Sequence, residues 1–171
     1  MMKPTILAIV GPSGSGKTSV AEHLKNELGI PVIVSYTTRP IRDDEVDGID
    51  HHFVSESDMP DRHDMLAYTK FGGYHYWSQT SQVPASGACS YVIDEKGLLK
   101  LWENFDTQYR IIPILIKRDE ETLKKTVHSD RLKRDKTRIK FDDEAYSAII
   151  ENNGTLEEFK NNALQIIQTL I

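Results

Sequence analysis

Cysteine occurs once in this sequence, at Cys89, so no disulfide can form within the chain and a reducing compartment is its natural home. Long apolar runs are missing too. The stretch Ile6 to Val10 stops at a glycine-rich segment, which excludes a signal peptide there, and nothing approaches the roughly 18 residues needed to cross a bilayer. Basic residues are the minority, 21 Lys and Arg against 26 Asp and Glu, for a net charge of −5. That balance argues against nucleic-acid binding by the surface as a whole and offers nothing to an acidic membrane face. Internal repeats and low-complexity linkers are absent. What remains, 171 residues of which 39% are hydrophobic, suits one globular domain with a sizeable core.

The most informative stretch present is Gly11-Pro12-Ser13-Gly14-Ser15-Gly16-Lys17-Thr18, which fits G-x-x-x-x-G-K-[ST]. Ile6 to Val10 before it reads as a buried strand. Val20, Ala21, Leu24 and Leu28 after it recur at helical spacing up to Gly29. The motif therefore has the strand-loop-helix context that it needs, which a glycine-rich turn without function would not require. Glycines let backbone N–H groups turn toward phosphate oxygens, and the helix start adds positive dipole character. Gly11, Ser13, Gly14, Ser15, Gly16 and Ser19 are the expected ATP cradle. Lys17 is the expected point charge on the β- and γ-phosphates, and Thr18 the expected Mg²⁺ ligand.

Charge is unevenly spread. Asp43 to Asp64 holds nine acidic residues and one basic, whereas Lys117 to Lys140 holds ten Lys and Arg against five Asp and Glu. A solvated helix face is the ordinary cause of such a basic run, but beside a bound triphosphate it can also close over the phosphates. Val32 to Val34, Tyr91 to Asp94 and Ile111 to Ile116 read as further core strands. Gly97 to Asn104 reads as a helix, so the alternation predicts right-handed βαβ units. After the second strand come Arg39 and Arg42, a pair suited to bidentate phosphate binding. His51, His52, His63 and His75 match no common zinc spacing, and Cys89 reads as a small core filler.

Ser35 to Ser55 resembles the guanylate kinase signature S-x-T-T-R-x-x-R-x-x-E-x-x-G-x-D-Y-x-F-V-S, and Met65 to Ser78 continues the likeness through Phe71, Gly73, Tyr76 and Ser78. The resemblance implies an α/β fold of the P-loop nucleoside monophosphate kinases. Such a fold has a parallel core sheet flanked by helices, an acceptor-binding module and a helical lid. The corresponding segments are a core of about 1–34, 83–124 and 140–171, a module of about 35–82 and a lid of about 125–139. It further implies an acceptor phosphate held by Arg39, Arg42 and Tyr76, Glu45 supporting the arginines, and Ser35 and Ser78 contacting the acceptor. Asp94, which closes the Tyr91 strand, can hold water on Mg²⁺ or touch the acceptor.

Departures from the family pattern bear on the substrate. Ala67 stands where the pattern has a glutamate that reads the guanine edge, His51 where it has tyrosine, Trp77 where it has a small residue, and Val92 where it has an aspartate. In the basic run, Arg131, Arg134 and Arg138 fall on neighbouring turns of an expected helix begun by Asp119-Glu120-Glu121. They are the expected catalytic arginines, with pairing to Asp130 and Asp135 as the alternative. Asn152 and Asn153 resemble family positions beside the donor adenine, although an Asn-Gly turn explains them equally. Thr155 and Glu158 form a capping-box signature ahead of the last helix.

These readings converge on a cytoplasmic enzyme, monomer or homodimer, that moves the γ-phosphoryl of ATP with Mg²⁺ to a nucleoside monophosphate. GMP or dGMP is favoured, and no nucleic acid or membrane is involved. The alternatives are a kinase of another nucleotide or of a phosphorylated sugar, a non-catalytic guanylate-kinase-like interaction module, and a regulatory NTPase. The intact Lys17 and Thr18 weigh against the module, and Arg39, Arg42 and Tyr76 would be unexplained in an NTPase.

Overall fold

A computed structural model describes residues 2–171, apart from the side chain of Arg134. In chain order its elements are β1 (Thr5–Val10), α1 (Lys17–Leu28), β2 (Val32–Ile33), β3 (Tyr36–Thr37), β4 (His52–Phe53), β5 (Met65–Phe71) and β6 (Tyr74–Gln79). There follow β7 (Ala88–Val92), α2 (Glu95–Phe105), β8 (Arg110–Lys117), α3 (Glu120–Thr126), α4 (Ser129–Asp135), β9 (Ala148–Glu151) and α5 (Leu156–Gln168).

β1 is buried at all six positions because it is the middle strand of a wholly parallel sheet ordered β2-β7-β1-β8-β9. Its side chains alternate between two cores. Leu7 and Ile9 pack with Val20 and Leu24 of α1 and Phe159 and Ile167 of α5, while Ile6, Ala8 and Val10 pack with Leu98, Leu101 and Phe105 of α2. A smaller sheet ordered β4-β3-β6-β5 joins the second core through Leu66, 1% exposed, whose burial contributes about 2 kcal/mol. Gly29 ends α1 in the left-handed region, its N–H bonding the Lys25 carbonyl, and Ile30 bonds that of Leu24. The expected capping box of Thr155 and Glu158 opens α5. Among the described residues no helix is long and apolar enough to cross a membrane.

Several expected boundaries move, each for a local reason. Val34 leaves the ladder after Ile33 and gives its carbonyl to the Gln82 side-chain amide at 2.8 Å. β7 stops at Val92, so Asp94 lies beyond the strand, where its carboxylate accepts the Gly97 N–H at 2.8 Å and caps α2. That cap starts the helix at Glu95, two residues before the expected Gly97, and it ends at Phe105, one after Asn104. β8 is one residue longer at each end than Ile111 to Ile116. The helix expected through Arg138 is two helices, and α4 ends at Asp135.

Candidate active site

All five parallel strands point their carboxyl ends to one edge of the sheet, and the segments leaving that edge carry the candidate residues. From β1 comes the glycine loop. From β2 comes the Arg39 segment, from β7 Asp94, from β8 Arg118, and from β9 Asn152. The chain runs from β1 out to β2 and back to β7 on one side, then crosses β1 to β8 on the other, so the loop after β1 stands beside the topological switch point, where such folds take up ligands.

Gly16 adopts φ 107° as the residue before α1, and a Cβ there would meet Phe159 at 2.7 Å and the Asn152 side-chain amide at 2.8 Å. Only glycine brings the loop this close to the elements beneath it. Asn152 Nδ2 donates to the Ser15 carbonyl at 2.8 Å in a buried setting, so its amide braces the loop from behind instead of facing an adenine. Asn153 accepts the Asp119 N–H at 3.0 Å at the foot of α3. Thr18 is exposed on the first turn of α1, and Ser19 follows half-buried. Lys17 Nζ turns back onto the loop and donates to the carbonyls of Gly11 and Pro12, both at 2.8 Å.

The basic segment already touches this loop through Arg118, which no motif marks, and through Asp135, expected as a partner of the arginines. The Asp135 carboxylate at the end of α4 accepts from the Ser13 N–H at 2.9 Å and from the Ser13 hydroxyl at 3.2 Å. Arg118 Nη1 donates to the Gly14 carbonyl at 2.9 Å. An anionic oxygen thus rests on a backbone N–H of the loop, the contact that a phosphate oxygen would make there. Thr18 offers one hydroxyl beside it, which suits Mg²⁺, a cation that takes few protein oxygens and completes its shell with phosphate oxygens and water.

Arg131 is exposed on α4, and the side chain of Arg134 lies outside the described residues. Arg138 is not on the helix. Its Nε lies 2.8 Å from the Glu95 carboxylate, which is 1% exposed, so its ion pair is with Glu95, while its backbone N–H donates to the Asp135 carbonyl at 3.2 Å. Burial pushes the Glu95 carboxyl up, and the Arg138 guanidinium opposes that shift. Glu95 was not foreseen, because nothing in its neighbourhood marks a buried carboxylate whose partner is 43 positions further along the sequence.

On the opposite flank several of the residues expected to bind the acceptor lie together. Arg39 donates through Nη1 and Nη2 to both oxygens of Glu45, at 2.9 and 2.7 Å, and through Nη1 to the Pro40 carbonyl at 2.8 Å. Its guanidinium carbon lies 5.4 Å from the Phe53 ring centre, and the Arg39 and Glu45 side chains are only 10% and 14% exposed. Bonding to Arg39 holds the Glu45 carboxyl at about 2, well below the usual 4.5. Glu45 raises the Arg39 guanidinium, burial opposes that shift, and Tyr76 adds to the rise. Glu45 also accepts the Arg42 N–H at 3.0 Å, while the Arg42 side chain is exposed. His51 completes the group: its Nδ1 is 2.8 Å from the Ser35 hydroxyl and its ring meets Tyr76 edge-on at 5.9 Å. Burial, then the charge of Arg39, push its imidazole down.

Tyr76 also lines a cavity of about 420 Å³, whose walls include Ser35, Ala67, Trp77, Tyr91, Asp94 and Lys96. Ser78 lies just behind it, fully buried, its hydroxyl donating to the Tyr91 phenol at 2.7 Å. Burial pushes that phenol up to about 12, so it stays protonated. The structure thus places Ser35, Tyr76 and Asp94 in the wall of one cavity, leaves Ser78 supporting that wall, sets the Arg39–Glu45 pair outside the lining, and puts the Arg138 side chain on Glu95.

A family model described as guanylate kinase matches residues 1–169. The guanylate kinase of Agrobacterium fabrum is 33% identical over 118 residues, covering 64% of this chain and 54% of that protein. That of Neisseria gonorrhoeae is 38% identical over 93 residues, covering 52% and 45%. That of Sulfurimonas denitrificans is 50% identical over 55 residues, covering 32% and 27%. The chain spans about half the length of the curated relatives it matches, or less. Among solved structures, a guanylate kinase from Anaplasma phagocytophilum superposes with a TM-score of 0.63 at 23% identity, over 99% of this chain and 87% of that one. An unliganded sugar kinase from Janibacter sp. superposes with 0.51 at 12% identity, over 98% and 95%. At those identities the two structures show a shared fold.

Proposed function

The chain belongs to the guanylate kinase family, and on that premise we propose that it transfers the γ-phosphoryl of ATP, with Mg²⁺, to a nucleoside monophosphate, GMP or dGMP foremost. One observation carries the reading: a preformed Arg39–Glu45–Tyr76 anion cluster borders a base-sized cavity on the same sheet edge as the glycine loop.

Arg39 and Arg42 hold the acceptor phosphate, with Glu45 fixing the plane of the Arg39 fork and Tyr76 donating its phenolic proton. On the donor side Lys17 exchanges the Gly11 and Pro12 carbonyls for the β- and γ-phosphates, and the Ser13 N–H exchanges the Asp135 carboxylate for a phosphate oxygen. Thr18 holds Mg²⁺, which neutralises charge on the phosphates when bound. Arg131 and Arg134 supply positive charge to the group in transit, where catalysis is mostly positioning and electrostatics. Arg138, held by Glu95, anchors the segment they stand on. The reading places the enzyme in the cytoplasm, where ATP is abundant and Cys89 stays reduced.

The test is ADP release from ATP and Mg²⁺ across a panel of nucleoside monophosphates. Stimulation by one acceptor class is the expected result; the same background rate with every acceptor overturns the reading.

A further inference from the structure

We propose that Glu95 is a positioning residue: by fixing Arg138 it makes that arginine the pivot of the basic segment, so that Asp135 can leave the glycine loop without dragging Ile139 out of the cavity wall. The inference rests on the nucleoside monophosphate reading above and deepens it.

Residues 135–139 touch both halves of the site within one short run. The Asp135 carboxylate holds the Ser13 N–H and hydroxyl of the glycine loop, and four positions on, Ile139 lines the cavity of about 420 Å³ together with Leu99 and Lys100 of α2. Four residues span at most about 14 Å even when fully extended. Here they are drawn in further, because the Arg138 N–H donates to the Asp135 carbonyl at 3.2 Å and closes a turn. Such a tether has little slack. Phosphates that displace Asp135 from Ser13 therefore pull on whatever follows it.

Arg138 stands between the two contacts. Its Nε lies 2.8 Å from the Glu95 carboxylate, and the two side chains are 14% and 1% exposed. Past Ile139 the chain is held again, with the Phe141 ring 5.6 Å from that of Trp102 and 6.5 Å from that of Tyr146. The ion pair itself is incompletely satisfied, since Glu95 Oε1 has no hydrogen-bond partner among the described residues. A buried pair of that kind is a poor source of stability, because apolar residues of similar size commonly do as well or better. What it supplies is a fixed point, a single buried carboxylate that gives the guanidinium one place to lie. A pull from Asp135 then stops at Arg138, and Ile139 keeps its place in the wall.

Calorimetric binding of GMP to the full chain, with and without the unreactive ATP analogue AMP-PNP and Mg²⁺, tests the pivot. Glu95→Gln keeps the shape of the side chain and removes its charge. In that variant GMP affinity should stay within about threefold of the parent's when the analogue is absent and fall at least about tenfold below it when the analogue is bound. Two glycines inserted after Lys136 in the same variant should restore the parent value, because a slack tether cannot pull. If Glu95→Gln folds poorly, Glu95→Met combined with Arg138→Met leaves no lone buried charge and should show the same analogue-dependent loss. An equal loss in both conditions, the mark of a merely structural role, overturns the inference and leaves the phosphoryl-transfer reading standing, as does no loss in either. A parent chain that binds neither GMP nor the analogue removes the reading and the inference together.

Discussion

The arginine cluster and the glycine loop are organised over very different lengths of chain. Arg39 and Glu45, six positions apart, hold each other bidentately, and the Glu45 carboxylate also takes the Arg42 N–H. The glycine loop is held from afar, with Ser13 on Asp135 across 122 positions, Gly14 on Arg118 across 104 and Ser15 on Asn152 across 137. On the proposed acceptor side a local contact is already made by the chain itself. On the proposed donor side the loop's groups are engaged by the protein's own atoms, which incoming phosphates would displace. Preorganisation lowers the cost of binding on the first side, and a competing internal anion raises it on the second.

The largest effect that separates the two belongs to the donor side. Lys17→Ala should lower the rate of ADP formation about 10²- to 10³-fold while the thermal unfolding midpoint stays near that of the parent. A retained rate would remove Lys17 from the mechanism. Arg39→Ala should raise the acceptor KM about 10- to 100-fold and leave the ATP KM unchanged, and Arg39→Lys should not restore it, because an ammonium cannot reproduce the fork. If both KM values rose together, the two sides would not be independent.

Asp135→Ala should act in the opposite sense, lowering the ATP KM about three- to tenfold, since it frees the Ser13 N–H from a carboxylate at 2.9 Å. An increase in KM would make Asp135 a support of the cradle and not its competitor. The smallest effect concerns acid. Because Arg39 lowers the Glu45 carboxyl from 4.5 to about 2, its stabilising contribution is complete above 4.5 and is lost as pH falls through about 2. Glu45→Gln should therefore flatten that limb of an acid-unfolding curve while costing about 1 kcal/mol or less at neutral pH.

The same contrast in range explains what could be read from the residues alone. Gly11 to Thr18 and Arg39 to Glu45 are contiguous, so spacing reveals them, and the continuous apolar runs within β1 and β8 reveal the parallel core. Arg138 was assigned to a helix because R-x-x-R-D-x-x-R has helical spacing, yet its partner is Glu95, a carboxylate hidden by tertiary packing. Asp94 looked like a strand end and is a helix cap, since a side-chain acceptor three residues before Gly97 outcompetes one more rung of sheet. Arg118 carries no local signal, and Asp135 reads as a partner for the neighbouring arginines, with nothing nearby that points to Ser13. Their part in the site exists only once α3 and α4 fold back over β1.

The brace beneath the glycine loop governs when the protein becomes competent. Residues 11–18 leave the ribosome first, and the Asn152 amide and the Phe159 ring that support Ser15 and Gly16 arrive more than 130 residues later. A nascent chain halted before them would carry the whole phosphate-binding motif and still lack its supporting floor. Affinity for nucleotide should then appear abruptly once those residues emerge and dock, as a property of the folded domain.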